Sequence, residues 1–216
     1  GLVFGLWPGL DIEIAALFFD PAAGFALGRN AALSALRDGA MWVAAGFVAP
    51  AVVALAMGLF WPGRRALMSR RAAWFLIITI ALGPGLIVNV LLKDHWHRPR
   101  PSQVTEFGGA ERFVPWWSTA GGCARNCSFV AGEPSGAFWT IAPAALAPPV
   151  WRIAAYAGAI GFGLAVGLLR MAAGGHFFTD VVFAGVFVFL AIWMVHGAMF
   201  RWHGEVDAAK SGRRAA

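Results

Sequence analysis

Four long runs of mostly apolar residues constrain this 216-residue chain more than any other feature. They cover residues 39–60, 72–92, 153–172 and 177–200, and a helix needs about 20 apolar residues to cross a bilayer. Mean hydropathy is +0.67 and only 13% of the residues are charged, which is unlike a soluble domain. The sequence therefore predicts an all-α fold, a polytopic helical bundle in a membrane.

Two further segments affect the number of spans. Residues 1–8 (GLVFGLWP) are apolar but too short to cross, and we expect them to be the end of a truncated first helix. Residues 135–150 end at two prolines, so they either cross thinly or begin below the headgroup level. We expect about six transmembrane helices in a single membrane-embedded domain, residues 1–216, with an outer-face loop at 94–134 and a cytoplasmic tail at 201–216.

The basic residues are distributed unevenly between the two sides. Residues 62–71, 151–152 and 201–216 share one side and carry a net charge of +7, whereas the rest of the chain sums to −1. Lys and Arg concentrate on the cytoplasmic side of membrane proteins, so this side is expected to be cytoplasmic. Because topology accounts for the basic excess, the bilayer is the expected partner and nucleic acid is not.

Two segments face the opposite, outer side. Residues 11–38 suit either an amphipathic piece at the interface or a surface connector. The second segment is the loop at residues 94–134, which holds the only cysteines of the chain, Cys123 and Cys127. Two cysteines are too few for a zinc site, so they form either a local disulfide or two free thiols. The FVPWW stretch of this loop, residues 113–117, supplies either lipid-facing anchors or a small core within the loop.

Charged residues gather at the outer ends of the predicted spans, where they are costly and therefore indicate a functional site. They are Lys93, Glu133, Arg170, His176 and Asp180. The last two stand four apart on one helix face, where a carboxylate can orient and charge-balance an imidazole. Several arginines nearby, and few carboxylates, point to an anionic substrate such as phosphate.

These residues resemble the motifs of the type 2 phosphatidic acid phosphatase superfamily, whose helical core is shared with vanadium haloperoxidases. Its first motif is Lys, six residues, Arg-Pro, matched by Lys93 through Arg100-Pro101. Its third motif is matched by Arg170, His176 and Asp180, with a leucine in place of the usual serine. Arg98 and His97, within the first motif, are additional candidates for the site.

The second motif, Pro-Ser-Gly-His, is altered in this chain. One alignment keeps PSGA at residues 134–137 and loses the histidine. The preferred alignment starts from Phe129 and places Ala131, Gly132 and Glu133 at the last three motif positions, so that a glutamate replaces the histidine.

The resemblance implies a metal-independent mechanism that needs no cofactor. Lys93, Arg100, Arg170 and the Gly132 amide would bind the phosphate, and His176 would attack it to form a phosphohistidine balanced by Asp180. The second-motif residue usually protonates the leaving oxygen, so Glu133 is either that acid, a group that orients water, or a ligand for a sugar hydroxyl.

The resemblance also implies the substrate class, a phosphorylated lipid reached from the periplasmic face of the bacterial inner membrane. The Cys-x-x-x-Cys loop and the Gly-Glu second motif are similar to those of lipid A phosphatases. Undecaprenyl diphosphate and phosphatidylglycerophosphate are alternative substrates for the same site. A catalytically silent relative that binds an anionic lipid is an alternative of another class, although it would not need His176. A haloperoxidase function is disfavoured, because halide oxidation does not need a membrane-embedded enzyme.

Overall fold

A computed structural model describes residues 1–61, 63–65 and 67–202, and all regular secondary structure in this part of the chain is helical. The expected all-α fold is thereby confirmed, whereas the predicted tail lies almost wholly outside the described residues. The α-helices are α1 (Leu2–Leu6), α2 (Gly9–Ala16), α3 (Ala31–Phe60), α4 (Arg70–Ile80), α5 (Gly132–Phe138), α6 (Ile141–Ala145), α7 (Pro149–Ala172) and α8 (Phe178–His196). Helices α4 and α8 continue as π-helices over Ala81–Leu92 and Gly197–Arg201, and short 3-10 helices cover Ala26–Arg29, Pro101–Gln103 and Thr105–Phe107.

Four helices are long and apolar enough to cross a membrane, which confirms the helical membrane bundle. They are Ala31–Phe60, Arg70–Leu92, Pro149–Ala172 and Phe178–Arg201. The expected number of about six is higher than these four because two short segments do not form spanning helices within the described residues. One is the N-terminal stretch, which folds as the five-residue helix α1 followed by α2.

The second is the segment 135–150, which divides into α5 and α6. Helix α5 has six of its seven residues buried, and α6 has four of its five. Pro148 is extended, as expected for a residue that precedes a proline, and Pro149 then begins α7. The segment is therefore an internal part of the bundle, where protein rather than lipid surrounds a broken helix.

Helix α3 begins eight residues earlier than the predicted span. Asn30 caps it, because its side-chain oxygen accepts hydrogen bonds from the backbone amides of Ala32 (3.0 Å) and Leu33 (3.2 Å). Residues 31–38, expected to be an interfacial piece or a connector, are consequently the first two turns of a long helix. This extension carries Arg37 to the end of the bundle where the other charged residues lie.

Glycines let α7 approach its neighbours closely. A Cβ atom at Gly163 would lie 2.2 Å from the ring of Phe138 on α5, and one at Gly167 would lie 2.3 Å from the side chain of Val181 on α8. Small residues at such contacts bring helix backbones together in a membrane, where dispersion and packing drive association. The C-terminal end of α7 is thereby held against the beginning of α8.

Candidate active site

Helix ends bring the predicted charged residues to one end of the bundle. Lys93 follows the π-helical end of the second spanning helix, and Glu133 is in the first turn of α5. Arg170 lies in the last turn of α7, and His176 lies two residues before α8. Because these elements pack side by side, residues separated by up to 83 positions in sequence share one site.

His176 is held in a single tautomer by a backbone carbonyl. Its side chain is buried, and Nδ1 lies 2.8 Å from the backbone carbonyl oxygen of Ser128. A carbonyl can only accept, so Nδ1 carries the proton and donates it, leaving the lone pair of Nε2 free. Burial, reinforced by the charges of Arg170, Arg100 and Lys93, lowers the pKa of His176 well below 6.5, so the ring is neutral at pH 7.

The cations near His176 retain unused hydrogen-bond donors. In the described part of the chain, the Lys93 ammonium makes no hydrogen bond or ion pair. Arg100 donates from Nε and Nη2 to the carbonyl oxygen of Asn126, at 3.2 and 2.9 Å, which orients the guanidinium and leaves Nη1 free. Burial lowers the pKa of Lys93, and the neighbouring Arg100 lowers it further. This arrangement is a candidate anion site, because its cations keep donors that no described protein group occupies.

Two glycines lie directly against the cations of this candidate site. A Cβ atom at Gly132 would lie 3.0 Å from Lys93 Nζ and 2.8 Å from the Asn89 side-chain oxygen. At Gly175 it would lie 2.5 Å from Nη2 of Arg170. Glycine at these positions lets the backbone approach the cations, and Gly132, the first residue of α5, presents its amide at a helix N-terminus.

Glu133 is paired with Arg170. Its Oε2 lies 2.9 Å from Arg170 Nε, but the angle is unsuitable for a hydrogen bond, and both atoms are buried without another partner among the described residues. The other carboxylate oxygen, Oε1, lies 4.0 Å from Nε of Arg37 on α3. Glu133 is thus a carboxylate between two arginines, adjacent to the anion site.

Asp180 occupies a different position from the one expected. Its nearest carboxylate oxygen lies 3.9 Å from His176 Nδ1, beyond hydrogen-bond distance. Instead it accepts hydrogen bonds from Arg98 Nη1 (2.5 Å), from Ser128 Oγ (2.5 Å) and from the Phe177 backbone amide (2.8 Å). Ser128 therefore orients the imidazole through its carbonyl, while the Asp180 carboxylate lies beside the ring without a hydrogen bond to it.

The two additional first-motif candidates are both used within the protein. Arg98 is completely buried and forms ion pairs with Asp11 (2.7 Å) and Asp180 (2.5 Å), so it is not available to a substrate. His97 is half-buried, and its Nδ1 lies 2.9 Å from the carbonyl oxygen of Cys123. Of the two motif arginines, Arg100 is the one that faces the site.

The loop between α4 and α5 is built around a disulfide and an aromatic core. Cys123 and Cys127 form the disulfide, and the turn that it closes contains Asn126, the residue that orients Arg100. Within FVPWW, Phe113 packs against Phe177 and Trp116 against Phe183, whereas Trp117 is exposed. Phe113 and Trp116 therefore pack the loop against the beginning of helix α8.

Four residues of this arrangement were not identified from the sequence. They are Asp11, Asn89, Asn126 and Ser128. Asn126 and Ser128 act through their backbone carbonyls, which residue type does not reveal. Asp11 and Asn89 had a recognisable signal, a polar side chain within an apolar stretch. Among the residues that the structure describes, no group of three or more His, Cys, Asp or Glu side chains could hold a metal ion.

Comparison with known proteins places these motifs in a family. The PAP2 superfamily model matches residues 72–204. The lipid A 4′-phosphatase of Francisella tularensis subsp. novicida is 37% identical over 202 residues, covering 93% of this chain and 90% of that protein. The lipid A 4′-phosphatase of Rhizobium leguminosarum is 35% identical over 203 residues, covering 83% of each chain. That of Rhizobium etli is 34% identical over 199 residues, covering 83% of this chain and 75% of its own. No solved structure gives a significant match.

Proposed function

Since this chain belongs to the PAP2 superfamily and is a phosphatase that hydrolyses lipid phosphomonoesters, we propose that it removes the 4′-phosphate of lipid A at the periplasmic face of the bacterial inner membrane. The observation that carries the proposal is the neutral, Nδ1-protonated His176 beside three cations. The names of the relatives support the lipid and its position. The basic excess on the opposite side supports the orientation.

Substrate binding fills the anion site. Lys93 Nζ, Arg100 Nη1 and the Arg170 guanidinium bind the phosphate oxygens, and the Gly132 amide donates to one of them. These donors are fixed before the substrate arrives, because Asn126 orients Arg100 and helix ends hold the others. The acyl chains remain in the bilayer around the bundle, so the lipid presents only its headgroup to the site.

The first chemical step forms a phosphohistidine. Nε2 of His176 attacks phosphorus in line with the leaving oxygen, the N–P bond forms and the P–O bond to the sugar breaks. The ring becomes cationic, still donating from Nδ1 to Ser128, and the charge of Asp180 stabilises it from 3.9 Å. Once the phosphate has replaced it as the partner of Arg170, the Glu133 carboxylate takes up a proton from water and delivers that proton to the leaving sugar oxygen.

The second step releases phosphate and restores the enzyme. Glu133, now ionised, accepts a proton from a water molecule, whose oxygen attacks phosphorus as the N–P bond breaks. His176 returns to its neutral form, inorganic phosphate leaves, and Glu133 releases its proton to water as it pairs with Arg170 again. The protein's own cations stabilise the phosphoryl charge in both steps, so no cofactor is required by this scheme.

Phosphate release from a panel of lipids tests the proposal. Purified protein in detergent should release phosphate from lipid A that carries the 4′-phosphate, and much more slowly from lipid A phosphorylated only at position 1, undecaprenyl diphosphate and phosphatidylglycerophosphate. The His176→Ala variant should release none. Equal turnover of another lipid would overturn the assignment of lipid A as the substrate. Binding of lipid A without any release of phosphate would favour the alternative that the protein is a catalytically silent lipid-binding relative.

A further inference from the structure

A buried cluster of two carboxylates and one guanidinium connects helix α2 to the start of α8, immediately behind His176. We propose that Asp11 and Arg98 are positioning residues for the phosphatase reaction, which set the charge and the orientation of Asp180 and of the first turn of α8. The inference rests on the proposed role of His176 and adds residues that contact neither the substrate nor the nucleophile. Asp11 also lies outside residues 72–204, the part that matches the family model.

The cluster is completely enclosed and each charge has a partner. Asp11 is 1% exposed, and Arg98 and Asp180 are 0% exposed. The Arg98 guanidinium donates to both carboxylates: Nη1 donates to Asp180 Oδ1 at 2.5 Å, and Nη2 donates to Asp11 Oδ2 at 2.7 Å. Removing one member of a buried charge group leaves an uncompensated charge, which is costly, so the three act as a unit.

The guanidinium has a fixed orientation. Its Nε donates to the Val114 carbonyl oxygen at 3.1 Å, and its centre lies 4.4 Å from the ring of Phe177 and 5.5 Å from the ring of Phe113. Contact with aromatic faces favours a cation at this place. Arg98 therefore cannot turn away from Asp180 to bind Asp11 alone.

The net charge of the cluster suits the reaction. One cation shared by two carboxylates leaves a charge of −1, located 3.9 Å from His176 at its closest atom. Phosphoryl transfer places a positive charge on the imidazole, which that surplus stabilises. Without the Asp11 carboxylate the cluster would be neutral, because Arg98 would balance Asp180 alone.

Asp11 also binds the first turn of α8. Its Oδ1 accepts from the backbone amide of Thr179 at 3.1 Å, and its Oδ2 accepts from the Thr179 hydroxyl at 2.5 Å. A carboxylate that accepts from first-turn amides caps a helix and stabilises its positive end, here from another helix. Because His176 stands only three residues before Thr179, this cap also fixes the position of the imidazole.

Removal of the Asp11 charge tests the proposal through the pH dependence of turnover. His176 is surrounded by charged groups from every element packed around it: Asp11 from α2, Lys93, Arg98 and Arg100 from the loop, Glu133 from α5, Arg170 from α7 and Asp180 from α8. Loss of one negative charge disfavours the imidazolium, so Asp11→Asn should lower kcat about tenfold and move the acid limb of kcat to lower pH. KM should change less than twofold, because Asp11 does not touch the substrate.

The matched control is Glu13→Gln, which removes an exposed carboxylate from the same helix and should leave kcat and the pH profile unchanged. Asp11→Glu restores the charge and should return the acid limb towards that of the wild type. If Asp11→Asn does not fold, Thr179→Val tests the same cluster by removing only the hydroxyl, with kcat expected to fall severalfold. Unchanged kcat and acid limb in a folded Asp11→Asn protein would overturn the proposal.

Binding of vanadate, a phosphate analogue, separates this inference from the lipid assignment. Vanadate affinity should be about tenfold weaker in Asp11→Asn than in Glu13→Gln, whichever lipid is the substrate. Normal vanadate binding in Asp11→Asn would contradict the positioning role. Failure of the wild type to act on lipid A would contradict only the proposed function.

Discussion

Glu133 is the residue whose chemistry differs most from that of the family motif. It lies between Arg170 at 2.9 Å and Arg37 at 4.0 Å, which holds the carboxylate at the edge of the proposed phosphate site. We expect Glu133→Gln to reduce kcat by about 10²- to 10⁴-fold, the typical contribution of general acid–base catalysis. Because histidine also carries a proton, Glu133→His should retain activity within about tenfold of the wild type, measured as phosphate release.

The two variants together distinguish proton transfer from charge pairing. If Glu133 only anchors Arg170, neither glutamine nor histidine replaces its negative charge, and both variants should lose activity equally. Near-normal activity of Glu133→Gln would exclude the acid role.

The lowered pKa of His176 has a consequence for the pH profile. Turnover needs the neutral ring, so kcat/KM falls as pH drops through that pKa, and the acid limb should lie below pH 6.5. Burial is the main cause and the Arg170 charge is next, so Arg170→Gln should raise the pKa of His176 and move the limb to higher pH.

The same experiment contains its own control. The substrate phosphate titrates identically with the wild type and with Arg170→Gln. A difference between the acid limbs of their two kcat/KM profiles therefore reports a change in the pKa of His176. Superimposable limbs, or a shift of the Arg170→Gln limb to lower pH, would contradict this account of the site.

At the scale of elements, the turn closed by Cys123 and Cys127 orients Arg100 through Asn126. Opening so short a loop by the double substitution Cys123→Ser and Cys127→Ser should cost about 2 kcal/mol of stability, because the unfolded chain regains freedom. Arg100 would lose its fixed orientation, so KM should rise severalfold with a smaller change in kcat.

Reduction of the wild type provides the comparison. A reducing agent should reproduce the higher KM in the wild type and have no effect on the double variant. A double variant with wild-type melting temperature and KM would show that the disulfide does not support the site.

Helix ends explain why much of the site could be predicted from the sequence. Lys93, Arg170 and His176 flank apolar runs, and alternating spans bring such ends to one side of a membrane. The contacts of Asp11 with Arg98 could not be predicted, because they depend on the path of a loop without periodicity. The break between α5 and α6 could not be predicted either, because apolar composition does not distinguish a buried broken helix from a spanning helix.

For the whole molecule, the distribution of basic residues predicts which end faces the cytoplasm. A single cysteine introduced as Thr119→Cys, in the outer loop, should react with an impermeant maleimide in cells whose outer membrane has been permeabilised. Gly63→Cys, in the basic connection between α3 and α4, should react only after the inner membrane is broken. The reverse pattern would place the active site in the cytoplasm.

The most direct test of the central claim is to follow the phosphate itself. Lipid A radiolabelled at its 4′-phosphate should, after rapid quenching, transfer label to the protein as an alkali-stable, acid-labile phosphohistidine that peptide mapping locates at His176. The His176→Ala variant should carry no label and release no phosphate. A labelled intermediate that survives His176→Ala would contradict the account.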